Sequence, residues 1–353
     1  MNALMSQPVS LPTVSVLIPC RNEQDHISGC LDSLLMTDYP VHLLDVLVID
    51  GMSDDRTRDV VAGYVARYPF IRLLDNPARI APSALNAGLR VATGDVVMRM
   101  DAHVTYPPDY VPRLVDALQE SGVDGVGCAL DTRPGGTGAV ARAIAIALSH
   151  PFGVGNSYFR IGAAQRRVVD TVPFGCYRRE IFQRYGLFDE DLVRAQDEEF
   201  NFRVTRGGGR IMLVPEVVAV YFGRRTLHQV SRMYYQYGYF KPWVAQKVGR
   251  IMTLRQLVPA ALVTALVATG AGGLAFPPLV VLFGLLLTVY AGAIVAFTAP
   301  QARAHGVRCA LALAVVFPAL HFSYGAGFII GAARLARPGG AALVDPAAVP
   351  LSR

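Results

Sequence analysis

Charge is what this sequence has least of: 17% of its 353 residues are Asp, Glu, Lys or Arg, against 52% hydrophobic. That apolar excess excludes a disordered chain. The deficit is also concentrated. No charged residue occurs between Arg255 and Arg303, and residues 256–353 carry five Arg and one Asp, whereas residues 1–255 hold 28 basic and 26 acidic side chains. The pattern describes a nearly neutral, soluble-looking body followed by a membrane-type tail. The five cysteines (Cys20, Cys30, Cys128, Cys176, Cys309) are odd in number and form no CxxC pair. They argue against a disulfide frame or a zinc site and read as small buried side chains in a reducing compartment. The N-terminus lacks a basic n-region, and the apolar run Val14–Ile18 is too short for a signal h-region. The body is therefore expected to stay cytoplasmic. A concentrated basic stripe is missing too. Most of the net +6 is Arg at the ends of apolar segments, which suits anionic lipid and argues against nucleic acid.

What is present has the rhythm of an α/β fold. Val14–Ile18, Asp45–Ile49, Ile71–Leu74 and Val96–Met100 read as buried strands. Glu23–Met36, Asp54–Tyr68 and Pro82–Ala92 read as helices between them. This order predicts right-handed βαβ crossovers and a mostly parallel, Rossmann-like sheet with helices on both faces. Residues 131–170 are less regular, with a helical stretch near Ala139–Leu148; a strand is expected at Val168–Phe174, a helix over Asp197–Arg206 and a strand at Arg210–Val214. The expected domains are a cytoplasmic body over 1–225, an amphipathic interface helix and neck over 226–255, a transmembrane region over 256–337, and a tail over 338–353. Thr226–Lys247 mixes Tyr234, Tyr235, Tyr237, Tyr239, Phe240 and Trp243 with Arg232, Lys241 and Lys247, as an interfacial helix does. Leu257–Phe276 and Leu279–Phe297 are long enough to span a ~30 Å hydrocarbon core. Val307–Ala333 is longer but carries Pro318, His321, Gly325 and Gly327. Lys247, Arg250, Arg255, Arg303 and Arg308 agree with a cytoplasmic body, whereas Arg334 and Arg337 fit only if the third segment is a re-entrant hairpin. Three spans are the favoured reading.

Ligands of such sheets sit at the carboxyl ends of the strands, and polar clusters follow the apolar runs there. Asp101-Ala102-His103 offers two metal-type ligands one residue apart, able to hold a divalent cation that bridges diphosphate oxygens. The plain alternative is an Asp capping a turn beside an incidental histidine. Asp50 either caps the next helix or hydrogen-bonds a base or ribose. Asp197 heads Asp197-Glu198-Glu199, where it either stabilises a helix dipole or acts as a general base. Arg194 and Arg203 are near enough in sequence to hold that carboxylate ionised or to bind phosphate.

The segments Val16-Leu17-Ile18-Pro19-Cys20-Arg21-Asn22-Glu23, Val48-Ile49-Asp50-Gly51-Met52-Ser53-Asp54, Leu85-Asn86-Ala87-Gly88, Arg99-Met100-Asp101-Ala102-His103 and Gln196-Asp197-Glu198-Glu199 together resemble family 2 glycosyltransferases of the GT-A fold. Phe152-Gly153-Val154-Gly155, Asp170-Thr171-Val172-Pro173-Phe174-Gly175 and Tyr235-Gln236-Tyr237-Gly238 resemble, more narrowly, membrane-bound β-glucosyltransferases of succinoglycan-type exopolysaccharide assembly. The resemblance spans roughly residues 13–245. It implies that Pro19, Arg21, Glu23 and Asp50 line the donor pocket with Asn86 close by. It implies that Asp101 and His103 replace a DxD metal motif and hold Mn2+ or Mg2+, and that Asp197 is the catalytic base. Gln229-Val230-Ser231-Arg232-Met233 stands where related synthases carry Gln-x-x-Arg-Trp. Arg160, Arg178, Arg194, Gln229 and Arg232 are the candidate contacts to acceptor or phosphate.

The expected activity is an inverting, metal-dependent transfer of a sugar from a nucleotide-diphosphate sugar, expected to be a UDP-sugar, to a polyprenyl-diphosphate-linked saccharide at a bacterial-type inner (plasma) membrane. One rival is a transferase acting on polyprenyl phosphate itself, whose nucleophile needs no base. Another is a non-catalytic nucleotide-binding subunit of a polysaccharide export complex, against which the presence of both Asp101 and Asp197 counts. A transporter is disfavoured because the uncharged spans offer no intramembrane acid or base for a pathway.

Overall fold

The computed structural model describes residues 11–249 and 253–337; the tail expected over 338–353 and Arg250 of the neck lie outside the described residues. Valine, isoleucine and leucine runs form the first strands, β1 (Val14–Cys20), β2 (Leu44–Asp50) and β3 (Ile71–Asp75). Val46, Leu47, Val48 and Ile49 are inaccessible to water, as in a strand covered on both faces. The intervening helices are α1 (Ile27–Leu35), α2 (Thr57–Val65) and α3 (Ala81–Val91). The first two begin later than the apolar spacing indicates. The polar residues ahead of them bond across to each other instead: Glu23 N–H donates to Thr57 Oγ1 (2.7 Å), and Arg56 N–H to Gln24 Oε1 (3.0 Å).

The chain continues through β4 (Val96–Arg99), β5 (Val104–Thr105), α4 (Tyr110–Ser121), β6 (Gly125–Arg133), α5 (Ala139–Leu148), α6 (Pro151–Val154), α7 (Tyr158–Ile161), β7 (Arg167–Val168), β8 (Cys176–Arg178), α8 (Glu180–Tyr185), α9 (Gln196–Arg206) and β9 (Ile211–Phe222). The strand expected at Val168–Phe174 is not continuous. Phe174 adopts φ 47, which breaks extended pairing, and only Arg167–Val168 and Cys176–Arg178 join the sheet around it. The strand expected to stop at Val214 runs on to Phe222.

The strands form one nine-stranded sheet, ordered β3-β2-β1-β4-β8-β6-β9-β5 with β7 beside β9. Strand β1 pairs in parallel with both β2 and β4, so the order reverses there, and the carboxyl ends of β1 and β4 are where such sheets bind ligands. Strand β8 runs antiparallel to β4 and β6. The sheet is Rossmann-like as expected, parallel from β3 to β4 and antiparallel at β8 and β7, so it is mixed.

Two compact units result. One holds the residues up to Ala129 with Gln165–Phe188 and Val204–Ala219; the other holds Leu130–Ala164, Asp189–Arg203 and the chain from Val220. In the second unit, α10 (Leu227–Val248) opens with a capping box between Thr226 and Gln229. Three further helices follow: α11 (Val258–Gly272), α12 (Pro278–His305) and α13 (Val307–Leu335). These last three supply three stretches long and apolar enough to cross a membrane, the first counted from Leu254. Helix α13 is unbroken through Pro318, so the interrupted hairpin considered for this segment does not form. Its glycines serve packing. A Cβ on Gly327 would collide with the Tyr235 carbonyl, one on Gly331 with the Tyr239 carbonyl, and one on Gly238 of α10 with the Tyr324 carbonyl. The two helices meet backbone to backbone, the arrangement that small residues permit in apolar surroundings. Arg334 at the end of α13 donates to the Tyr239 hydroxyl (3.0 Å).

Gly327→Leu should therefore destabilise the protein by about 3 kcal/mol, seen as a lower thermal midpoint in detergent. Gly284→Ala on α12, where an added Cβ meets nothing, should leave the midpoint unchanged.

Candidate active site

In the first unit, the loops after β1 and β2 are stitched together by polar side chains. Asp50 ends β2 completely buried and accepts from Ser53 N–H (3.0 Å), the Ser53 hydroxyl and Arg58 Nη1 (2.8 Å). With the Cys20 thiol 3.9 Å from Oδ1, these bonds take up all of the carboxylate's roughly four acceptor positions. Ser53 Oγ in turn receives Asn22 N–H (2.9 Å), and Asn22 Oδ1 receives Asp54 N–H (3.1 Å). Asn22 (φ 54) and Met52 (φ 55) both sit in the left-handed region. Such conformations cost of order 1–3 kcal/mol and persist only where surrounding bonds impose them, commonly at ligand sites. Pro19 and Arg21 are half-buried at the same edge, and the Arg21 side chain lies over Gly51.

After β4 comes the Asp101–His103 pair. Asp101 is held by Arg99, with Nε to Oδ1 at 2.8 Å and Nη2 to Oδ2 at 3.2 Å, while its N–H donates to the Tyr106 hydroxyl (2.7 Å). His103 Nδ1 stands 3.5 Å from the buried Glu23 carboxylate. The structure thus gathers Glu23, Asp101 and His103 at the crevice predicted by the strand order. Asn86 is buried and bonds the Phe188 backbone, Nδ2 to O at 2.9 Å and Phe188 N–H to Oδ1 at 3.0 Å.

In the second unit, α9 starts with three acidic residues, each in a different setting. Glu198 is paired with Lys241 of α10 and accepts from Gln256. Glu199 is buried and clamped by Arg203 at 2.8 and 2.7 Å. Arg203 is therefore engaged with its i−4 neighbour. Asp197 is half-buried, and its Oδ1 accepts Glu198 N–H at 2.9 Å. Ala195 just before it has φ 63, a left-handed kink in a residue with a Cβ. The kink turns the chain into the first helical turn, where a negative charge also meets the helix dipole favourably.

The five candidate phosphate or acceptor contacts occupy different settings. Arg178 donates to the Leu118 carbonyl (2.8 Å) and the Val123 carbonyl (3.3 Å). Gln229 serves the α10 capping box, accepting from Thr226 N–H at 3.2 Å. Arg232 lies half-buried on the same helix. Arg194 Nε donates to Gln236 of α10 (3.3 Å), and Arg160 lies over the Tyr221 ring, 5.1 Å from its centroid.

The motif reading passed over Arg58, Arg99 and Arg224. For Arg99 a signal existed, since two residues apart on a strand share a face with Asp101. Arg58 reaches Asp50 only through loop closure, which no spacing reports.

For a divalent cation, Asp101 supplies a hard carboxylate and His103 a borderline imidazole. Among the described residues no group of three or more His, Cys, Asp or Glu is arranged to hold a metal. A two-ligand contribution nevertheless fits Mg2+ or Mn2+ ions that complete their shell with substrate phosphates and water.

Two substitutions probe this framework. Asn86→Ala strands the buried Phe188 N–H and C=O and should cost about 2 kcal/mol of stability in denaturant titration. At Asp55, burial raises the carboxyl pKa, but the Thr57 hydroxyl and N–H and the Gln24 N–H outweigh it and hold it below the usual value. A depressed pKa contributes stability above the ordinary ~3.9 that is lost as pH falls through the folded value. Asp55→Asn should accordingly flatten the acid limb of the stability-versus-pH curve.

Comparison with known proteins points the same way. The glycosyl transferase family 2 profile matches residues 15–186. The chain is 32% identical over 248 residues to the succinoglycan biosynthesis protein ExoA of Rhizobium meliloti (strain 1021), covering 70% of this chain and 74% of that protein. It is 28% identical over 243 residues to the dolichyl N-acetyl-alpha-D-glucosaminyl phosphate 3-beta-D-2,3-diacetamido-2,3-dideoxy-beta-D-glucuronosyltransferase of Methanococcus voltae, covering 66% and 74%. Among solved structures, the mannosyltransferase PcManGT from Pyrobaculum calidifontis, in complex with GDP-Man and Mn2+, has a TM-score of 0.57 at 24% identity over 88% of each chain. That likeness shows a common GT-A fold. With the family motifs in order along a GT-A sheet, the chain belongs to glycosyl transferase family 2 and is a glycosyltransferase.

Proposed function

We propose that this glycosyltransferase moves a sugar from a nucleoside-diphosphate sugar, specifically a UDP-sugar, to a hydroxyl of a saccharide carried on polyprenyl diphosphate, with inversion, in exopolysaccharide or cell-surface glycan synthesis. One observation carries the reading: the Asp197 helix is fastened to a helix that belongs to the membrane frame. Glu198 is paired with Lys241 of α10, Arg194 bonds Gln236 of α10, and α10 packs through glycine against the apolar α13. A soluble acceptor would need no such attachment. The Methanococcus relative, whose name specifies a dolichyl-linked sugar phosphate, supports a lipid-held acceptor.

In this mechanism Asp197 takes the proton of the acceptor hydroxyl as that oxygen attacks the anomeric carbon and the bond to the nucleoside diphosphate breaks. One displacement converts an α-linked donor into a β-linked product. Pro19, Arg21, Glu23 and Asp50 line the nucleoside end with Asn86 close by, and the Arg58 and Ser53 bonds hold Asp50 in place. Asp101 and His103 would hold a divalent cation, Mn2+ or Mg2+, which when bound would supply positive charge to stabilise the departing diphosphate. The ExoA and PcManGT likenesses support the exopolysaccharide setting and the metal, respectively. The protein is placed in a bacterial-type inner (plasma) membrane as a multi-pass protein with the body cytoplasmic. Lys247, Arg255, Arg303 and Arg308 support that orientation, whereas Arg334 and Arg337 at the end of the unbroken α13 run against it.

The test is transfer by the full chain in lipid nanodiscs, with a panel of nucleotide sugars, lipid-linked saccharide and Mn2+ or Mg2+. Asp197→Asn should lower transfer by about 10²–10⁴-fold while leaving nucleotide affinity intact. Near-normal transfer by that variant would sink the general base and point to polyprenyl phosphate, whose nucleophile is already ionised, as the acceptor. His103→Ala should raise the metal concentration needed for half-maximal transfer, and EDTA should abolish transfer; full activity in EDTA would dismiss the metal.

A further inference from the structure

Buried polar atoms in folded proteins are almost always hydrogen-bonded, and a guanidinium is the costliest group to leave unmatched. Within the second unit, Arg160 Nη1 and Arg224 Nε are inaccessible to water and have no hydrogen-bond partner, and the same holds for the Tyr324 hydroxyl. These groups converge on one patch. Arg160 lies over the Tyr221 ring, and Arg160, Arg194 and Arg224 all act electrostatically on the Tyr237 hydroxyl. Arg160 also acts on Tyr234, which in turn faces Tyr324. Several carboxylates of this unit have cationic partners of their own: Glu198 pairs with Lys241, Glu199 with Arg203, and Asp189 and Asp191 with Lys247, although Glu198 also acts on Tyr324.

We propose that Arg160 and Arg224, with the hydroxyls of Tyr234, Tyr237 and Tyr324 around them and Arg194 alongside, form the seat for the phosphate group of the lipid-linked acceptor. This rests on the lipid-linked acceptor of the proposed function. Guanidinium forks match phosphate oxygens in pairs, and phenols add neutral donors without adding charge. The donor's diphosphate has the same oxygens, but the unit that carries this seat also carries α11, α12 and α13, the apolar helices against which a polyprenyl chain can lie. Neither Arg224 nor the tyrosines belong to the motifs that mark the donor end. The seat would hold the acceptor by its phosphate while leaving the terminal sugar hydroxyl for Asp197.

The experiment reads binding without any donor, so its outcome is separate from whether Asp197 acts as a base. Full-length protein in phosphatidylcholine nanodiscs is titrated with undecaprenyl diphosphate, with uncharged undecaprenol, and with UDP. The wild-type chain should bind the diphosphate lipid and not the alcohol. Arg160→Gln and Arg224→Gln should each weaken the lipid by about tenfold or more and leave UDP within twofold, with Arg→Lys at either position recovering part of the loss. Unchanged lipid affinity in either variant, or UDP affinity falling in parallel, would overturn the assignment, the second result giving the seat to the donor. Should a variant not fold, the wild-type chain decides the matter. Undecaprenyl diphosphate with a photoreactive group on its first isoprene should label peptides containing Arg160, Arg224 or Tyr234, and labelling confined to residues 14–55 would refute the proposal.

Discussion

The close approach of α10 and α13 is the constraint on which the second unit depends. Gly238, Gly327 and Gly331 let two helix backbones touch, and any side chain there would separate them. On its other flank, α10 is the anchoring rail for the segment before and within α9. Lys247 binds Asp189 and Asp191 at 2.6 and 2.7 Å, Gln236 binds Arg194, and Lys241 binds Glu198. A helix that looks merely amphipathic in sequence thus ties the position of an apolar helix to the acidic start of α9. Ion pairs of this kind add little stability at an exposed surface. At the half-buried Lys241–Glu198 pair, their value lies in fixing a register.

The row Asp197-Glu198-Glu199 shows how environment sorts chemically similar side chains. Glu199 points toward Arg203 one turn later, and Glu198 toward α10. Asp197, the shortest of the three, follows the left-handed Ala195 and stays at the helix start. At the donor end, Asn22 and Met52 likewise hold strained conformations in loops that are bonded to each other. Both candidate regions therefore sit on backbone held in left-handed conformations. Strain stored in this way is a means of pre-organising polar groups before substrate arrives.

The charge distribution also changes meaning once partners are known. The sequence shows a neutral body and an uncharged tail. The fold shows that many of the body's acids are held in pairs, such as Asp50 with Arg58 and Asp101 with Arg99, while Arg160 and Arg224 carry buried nitrogens without a match.

The sequence by itself determined the strands β1 to β4, the helix over Ala139–Leu148, the apolar helices and the order of polar clusters after the strands. Local periodicity and hydrophobic burial decide those features, and they act over a few residues. It also marked Asp50, Asp101, His103 and Asp197, because motif order survives without coordinates. Only the tertiary structure decided that the helices α1 and α2 start late, that α13 is unbroken, and that Arg160 and Arg224 join one patch. Those outcomes depend on contacts between segments tens to hundreds of residues apart. A glycine in α13 reads in sequence as a weak point in a helix; opposite Tyr235 it is the condition for two backbones to touch.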